Sequence, residues 1–130
     1  MQRSPDYLGA TGIGVSDLER SAVFYEAALG MKRVTTFKLP YMDEIVLAHE
    51  GRTALVLMHW TDGSTRNYRD LPIKLVFYVT DPTQAAARVR AAGGTITLEP
   101  APIKALGNAV VGLGKDLDGY VIELLQAPKT

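Results

Sequence analysis

Histidine and cysteine are the side chains that most often bind transition metals or act as nucleophiles, and this 130-residue chain has two histidines and no cysteine. The lack of cysteine removes disulfides, thiolate metal sites and cysteine nucleophiles together. Of the histidines, His49 and His59, the second is in phase with Leu55 and Leu57 on a predicted strand. We interpret His59 as a packed or pocket-lining residue, with a polar ligand-binding group and a metal ligand as open alternatives.

Three aromatic residues are candidates for contact with a planar or apolar ligand. Tyr78 is in phase with Lys74 on one predicted strand. Trp60 ends the strand that carries His59, and Tyr41 lies in a turn between strands. Aromatic rings at the mouth of a cavity suit such ligands, although packing in a core would explain the same residues.

The polar stretch 61–71 contains three more candidates for ligand binding. Arg66, Tyr68 and Arg69 could clamp an acidic group, because guanidinium groups bind carboxylates in a bidentate manner. A solvated loop would contain the same residue types.

The elements that must position these residues occur twice. The chain contains an internal repeat with an offset of 64 residues. The first copy has Val15-Ser16-Asp17, an apolar stretch and Gly30, and the second has Val79-Thr80-Asp81, an apolar stretch and Gly94. A repeat of this length is too long for a solenoid unit and too short for two ordinary domains. The same offset pairs His59 with Glu123. The repeat therefore predicts two modules around one core or cavity, with the functional site at their seam.

We expect residues 1–130 to form a single domain. Module one covers about residues 6–62 and module two about 72–127, with a crossover at 61–71.

Each half has the pattern of a β-α-β-β-β unit. Ser16 and Glu19 fit a capping box for a helix from Asp17 to Leu29, which Gly30 ends. In the second half Asp81 caps a helix that has Pro82 in its first turn. The predicted strands are 8–15, 31–39, 44–49, 53–60, 74–79, 95–98, 108–112 and 119–125.

Composition limits the classes of partner. Fourteen basic residues balance fourteen acidic ones, so the attraction that drives nucleic-acid binding is weak. The chain has no apolar signal segment and no run of about eighteen apolar residues. We expect a cytoplasmic protein that binds neither nucleic acid nor membrane.

Two runs resemble the signatures of a known family. The first is Val15 to Ser21 with Phe24-Tyr25 and Leu29-Gly30-Met31; the second is Lys115 to Leu124, with Leu117 where proline is usual. They are similar to those of the vicinal oxygen chelate superfamily, which contains glyoxalase I, bleomycin-resistance proteins and extradiol dioxygenases. The resemblance implies an α+β fold in which two β-α-β-β-β modules form an incomplete barrel around a cavity. It also implies a homodimer, often with modules exchanged between chains.

The resemblance further implies a divalent metal with two ligands from each module, and here the chain departs from the family. The first-strand histidines of the family fall on Ala10 and Lys74, which cannot ligate, since alanine has no donor and an ammonium group has no lone pair. The last-strand ligand of module one falls on Leu55, Val56 or Leu57, all aliphatic. Glu123 alone is retained. We therefore predict no cofactor, with a divalent metal possible only through a rearranged site.

Two functions follow from this degenerate metal site. The first is binding or sequestration of a small organic molecule in the cavity between the modules. The alternative is an enzyme, either a metal-free isomerase or lyase, or a lyase or dioxygenase with a rearranged metal site. In the metal-free enzyme Lys74 would bind a substrate oxygen and Glu123 would act as base. A plain ion pair between the two residues would be structural.

Overall fold

The computed structural model describes residues 8–66, 68 and 73–128. The predicted β-α-β-β-β order occurs twice. The elements of module one are β1 (Ala10–Gly14), α1 (Leu18–Leu29), β2 (Lys32–Lys38), β3 (Met42–Ala48) and β4 (Ala54–Trp60). Those of module two are β5 (Lys74–Val79), α2 (Pro82–Ala91), β6 (Thr95–Ile103), β7 (Ala109–Lys115) and β8 (Val121–Gln126), with a short 3-10 turn at Lys104–Leu106.

Each module contributes one four-stranded mixed sheet. The strand orders are β1-β4-β3-β2 and β5-β8-β7-β6. The first and last strands of each module, β1 with β4 and β5 with β8, pair in parallel, and the other pairs are antiparallel. Among the described residues no strand pair joins the two sheets, so they do not close into a barrel. The α+β class and the two modules are confirmed.

The predicted start of helix α1 needs a correction. The N-cap is Asp17, whose carboxylate accepts a hydrogen bond from the Arg20 amide, and not Ser16. The Ser16 amide donates instead to Asp118 at 3.0 Å, and Glu19 forms an ion pair with Arg33. Module two thus provides the partner that a local capping box would have supplied.

Strand β6 is longer than its sequence pattern predicts. The prediction ends at Leu98, before Pro100 and Pro102, but the strand continues to Ile103. Strand β6 lies at the edge of its sheet and is irregular between Ile96 and Ala101. Proline is tolerated at such an edge because the missing amide would not pair there.

The two modules share one hydrophobic core. Helix α1 packs on β2, β3 and β4, helix α2 packs on β6, β7 and β8, and the helices pack on each other. Alternate residues of a strand point toward the helices, and in β4 and β8 the buried residues follow this alternation; we call this the helix-facing side of a sheet. Its most buried members include Ile13, Leu47, Leu57, Ile122 and Leu124. The residues between them form the outer face of each sheet.

A buried polar network also links the modules. The turn between β7 and β8 contains Asp116 and Asp118, both buried. The Tyr25 hydroxyl donates to Asp116 at 2.6 Å, and the Tyr120 hydroxyl donates to the Gly14 carbonyl oxygen at 2.7 Å. Both contacts join module one to module two. Neither helix of the described chain has the length and hydropathy of a membrane span.

Candidate functional site

Lys74 and Glu123 lie together on the outer face of the second sheet. Lys74 begins β5, and its Nζ is 2.8 Å from Oε1 of Glu123 on the neighbouring strand β8. Glu123 points outward because Ile122 and Leu124 on either side of it are buried in the core. The side chain of Lys74 is 52% exposed and that of Glu123 is 13% exposed. A sheltered carboxylate therefore meets an ammonium group that solvent or a ligand can reach.

The first sheet shows which residue takes the place of Glu123. Glu123 is paired with Val76, and the matching parallel pair in module one is Val56 with Gly12. Val56 is therefore the counterpart of Glu123, whereas Leu55 and Leu57 are on the helix-facing side. The 64-residue offset paired His59 with Glu123, and this pairing is wrong because the segment before β4 differs in length from the one before β8. Ala10 lies at the start of β1, as Lys74 lies at the start of β5.

The structure places His59 on the helix-facing side of β4. Its Nδ1 is 2.9 Å from the Val15 carbonyl oxygen, and its ring stacks on Tyr68 with centroids 6.0 Å apart. Because a carbonyl oxygen only accepts, Nδ1 carries the proton. These contacts are those of a packed histidine.

His49 lies at the seam between the modules. Its Nε2 donates to the Leu29 carbonyl oxygen at 2.7 Å, and its ring meets the edge of the Phe77 ring with centroids 6.3 Å apart. Of the two histidines, His49 is the one that lines the inter-module cleft described below.

The remaining candidates occupy different places. Tyr78 is exposed on the outer face of β5 and lines the cleft. Trp60 packs under the Arg66 guanidinium at 4.5 Å, at the far end of β4, and Tyr41 is exposed in the turn before β3. Arg69 lies outside the described residues. Of the predicted ligand-binding residues that the structure describes, only Tyr78 lines the cleft together with Lys74.

A cleft of about 940 Å³ opens between the two modules. Edge strands β1 and β5 both contribute to it, together with the turn between β3 and β4. Its walls are partly apolar, from residues such as Met31, Leu55 and Phe77. Its polar groups include Lys74, Arg52, His49 and Thr11.

Sequence reasoning missed Arg52 and Glu44. Arg52 is in the turn between β3 and β4, where no periodicity marks it as functional. Glu44 lies on the outer face of β3, opposite Met58 of β4, and alternation with buried Ile45 would have placed it there. Glu44 and Glu123 are thus the acidic residues at the centres of the two outer faces.

The residues present do not fit the metal site that the family resemblance implies. Two of its four positions, Ala10 and Val56, lack donor atoms, and at the third the Lys74 ammonium is paired with Glu123. No group of three or more histidine, aspartate or glutamate side chains suited to a metal occurs in the described part of the chain. A tight divalent site normally needs three or more protein donors.

The chain belongs to the Glyoxalase/Bleomycin resistance protein/Dioxygenase superfamily, whose family model matches residues 7–124. It is 30% identical over 122 residues to lactoylglutathione lyase of Salmonella typhimurium, with 90% of each chain covered. It is 32% identical over 122 residues to lactoylglutathione lyase of Neisseria meningitidis, covering 89% of this chain and 87% of that one. The family expected from the two signatures is confirmed.

Solved structures show the same fold. Glyoxalase I from Zea mays superposes with a TM-score of 0.82 at 25% identity; the match covers 95% of this chain but only 45% of the maize protein. The Leishmania major glyoxalase I, described as trypanothione-dependent, gives a TM-score of 0.77 at 25% identity, with 93% of this chain and 86% of that one covered. The chain is therefore similar to glyoxalases in sequence and fold.

Proposed function

We propose that this protein binds a small organic molecule in the cleft between its modules without a metal ion. The observation that supports this proposal is the Lys74–Glu123 ion pair, 2.8 Å long, at positions where the family pattern has two metal ligands. The pair puts one positive and one negative group where the pattern has a cation. It can orient a polar group of a ligand, since both residues retain hydrogen-bonding capacity.

The shape and lining of the cleft support binding of a small molecule. Its volume is in the range of ligand pockets, and it combines apolar walls with a few convergent polar groups. Val76 and Tyr78 extend the wall from Lys74 along β5, and both are exposed. A ligand in the cleft would cover the exposed apolar surface of Val76 and Tyr78 and so remove it from water.

The experiment for this proposal combines ligand screening with metal analysis. A bound compound should raise the melting temperature of the purified protein without being converted, because a ligand that binds only the folded state stabilises it. Protein purified without chelators should contain far less than one equivalent of Fe, Mn, Ni or Zn. Near-stoichiometric metal that disappears in E123Q would contradict metal-free binding.

A metal-free enzyme is the second candidate, and the sheltered Glu123 carboxylate favours it. Glu123 could remove a proton from a bound substrate while the Lys74 ammonium stabilises the oxyanion that forms. The chain is also similar to proteins named lactoylglutathione lyase, which are enzymes. An enzyme would lose turnover in E123Q while ligand affinity fell less, whereas a binding protein would show no turnover in either form.

A further inference from the structure

The basic and acidic residues around the cleft are unbalanced. Arg52, His49 and Lys74 line it, and no aspartate or glutamate is among the described residues that do. The charge of Lys74 is compensated by Glu123. None of the ion pairs found in the described part of the chain includes Arg52. The cleft therefore contains one cation, Arg52, that forms no ion pair with any described carboxylate.

The backbone around Arg52 forms a tight turn. Its amide donates to the His49 carbonyl oxygen at 2.9 Å. Gly51 precedes it with a φ of 69°, in the left-handed region that favours glycine. This turn joins β3 to β4 and places Arg52, an exposed residue, at the cleft. A guanidinium binds carboxylate, sulfonate or phosphate oxygens in a bidentate geometry.

The wall behind these groups suits a flat apolar body. The Phe77 ring stacks on buried Tyr25 with centroids 6.1 Å apart and meets the His49 ring edge-on. His49 is fixed by its hydrogen bond to the Leu29 carbonyl oxygen. Leu55 and Met31 add aliphatic surface. Rigid aromatic and aliphatic walls of this kind lose little conformational entropy when a planar ligand binds.

We infer that the ligand of the cleft is an organic anion with a planar apolar body, and that Arg52 selects it by pairing with its acidic group. This inference rests on the proposed function, because it names the ligand class of the same cleft. It makes Arg52 a specificity-determining residue, distinct from the Lys74–Glu123 pair. Oxygens of the anion replace water at the guanidinium while the apolar body covers Phe77.

Two probes of the same size and shape, one anionic and one neutral, test the inference. 2-Naphthoate and 2-naphthamide have the same rings, and only the first has a negative charge. Each is titrated into the isotope-labelled full chain while amide signals of Gly9, Thr11 and Thr53 in the cleft, and of Leu106 away from it, are followed by NMR. We expect naphthoate to shift the cleft signals with a Kd about tenfold lower than that of naphthamide, as a charge-assisted contact would give.

Variants assign the preference to one side chain. R52M should reduce the ratio of the two Kd values to near one, and R52K should give an intermediate ratio because it retains charge without the bidentate geometry. R20M, which removes an exposed arginine on α1, should leave the ratio unchanged.

Several results would overturn the inference: equal affinity for both probes, a preference that survives in R52M, or naphthoate shifts absent from the cleft. Saturable binding of naphthamide in the cleft with no preference for naphthoate would overturn the anion assignment alone and leave the proposed function standing. The proposed function fails separately, if no compound in the stability screen binds the cleft.

Discussion

Tyr25 and Asp116 are 91 residues apart in the sequence and 2.6 Å apart in the folded chain, where the Tyr25 hydroxyl donates to Oδ2 of the Asp116 carboxylate. Tyr25 is on α1 of module one, and Asp116 follows β7 of module two. The other oxygen of Asp116 accepts from the amides of Asp118 and Tyr120. One buried carboxylate thus holds the β7–β8 turn in shape and joins it to the other module.

Removing the Tyr25 hydroxyl should weaken the whole domain. In Y25F the Asp116 carboxylate stays buried but loses its side-chain donor, and a buried polar group left short of a partner costs about 1–3 kcal/mol. We expect a fall of that size in the free energy of unfolding, measured with urea. Y41F is the matched control, because Tyr41 is exposed, and a change below about 0.5 kcal/mol is expected there. Equal effects would mean that the bond contributes little.

Asp116 should also make stability depend on pH. Burial raises the pKa of Asp116, and this effect exceeds the opposing effect of the hydrogen bonds from Tyr25 and from the Tyr120 and Asp118 amides. Because its folded pKa lies above the unfolded value, the folded state binds more protons in the interval between them. The contribution of Asp116 to stability therefore increases as pH falls through that interval and is lost as pH rises.

The comparison that isolates this effect is with D116N. The free energy of unfolding of the wild type minus that of D116N should rise when the pH is lowered from neutral toward the ordinary pKa of aspartate. Carboxylates that do not interact with Asp116 cancel in the difference, including Glu19, whose pKa is lowered by its hydrogen bonds to Arg33. A difference that falls on acidification would have the wrong sign for a raised pKa.

Local patterns in the sequence were enough to predict the β-α-β-β-β order of each half, whereas the arrangement of the two modules was implied by the family resemblance, and neither predicted all of the site. Helix caps at Asp81 and Gly30, and the alternation of apolar residues in β4, depend on near neighbours and were correctly interpreted. The capping box at Ser16 failed because its amide bonds to Asp118, which is 102 residues away. Contacts of that kind form only when the two modules pack against each other, so no local sequence pattern predicts them.

The same reasoning explains which site residues were found. Lys74 and Glu123 lie on adjacent strands, β5 and β8. The family resemblance implies this strand pairing, so the two residues could be predicted to lie close together. His49 lines the cleft in contact with Phe77 of the other module, and Arg52 reaches it from the turn between β3 and β4. Neither position can be read from a local sequence pattern. Fixed repeat spacing also failed at β4, where Val56 and not His59 matches Glu123.

Self-association should follow from the exposed apolar outer faces. Phe37 on the first sheet is 48% exposed and Leu98 on the second is 41% exposed. Phe37 lies on an outer face because it pairs with Glu44. Leu98 does too, because it pairs with Leu113, which in turn pairs with Glu123. We expect a homodimer in sedimentation analysis. L98K and F37K should raise the dimer Kd by about tenfold or more, because each buries a charge in an apolar contact.

The control for this prediction is V23K. Val23 is 51% exposed but lies on α1, away from both outer faces. It should leave the dimer Kd unchanged. A monomeric wild type, or a V23K variant as weakened as L98K, would exclude an interface through the outer faces.

Placing donor side chains at the positions that the family resemblance assigns to metal ligands should create a metal site. The triple variant A10H, V56E and K74H, which keeps Glu123, supplies the ligand set that the family pattern has, and four such donors suit a divalent transition metal. We expect Zn²⁺ to bind about a hundredfold more tightly than to the wild type, measured by calorimetry. Replacing V56E by V56Q in the same background should weaken binding. Equal binding by the two triple variants would show that Val56 is not at the ligand position.

Gly94 should tolerate no side chain, because the two modules meet at this position. A Cβ there would lie 2.8 Å from the Lys115 carbonyl oxygen and 2.8 Å from Cε1 of Phe24, which belongs to α1 of the other module. Backbone cannot yield as a flexible side chain does, so G94A should lower the free energy of unfolding by about 1–3 kcal/mol.

Gly12 provides the matched comparison for Gly94. Its nearest neighbour would be the terminal methyl of Met58 at 3.2 Å, which can rotate away. Urea unfolding should therefore show a clearly smaller loss for G12A than for G94A. An equal loss of stability in the two variants would contradict this explanation. It would mean that the close approach of α1 does not require glycine at residue 94, and that the modules pack more loosely there than the Phe24 contact indicates.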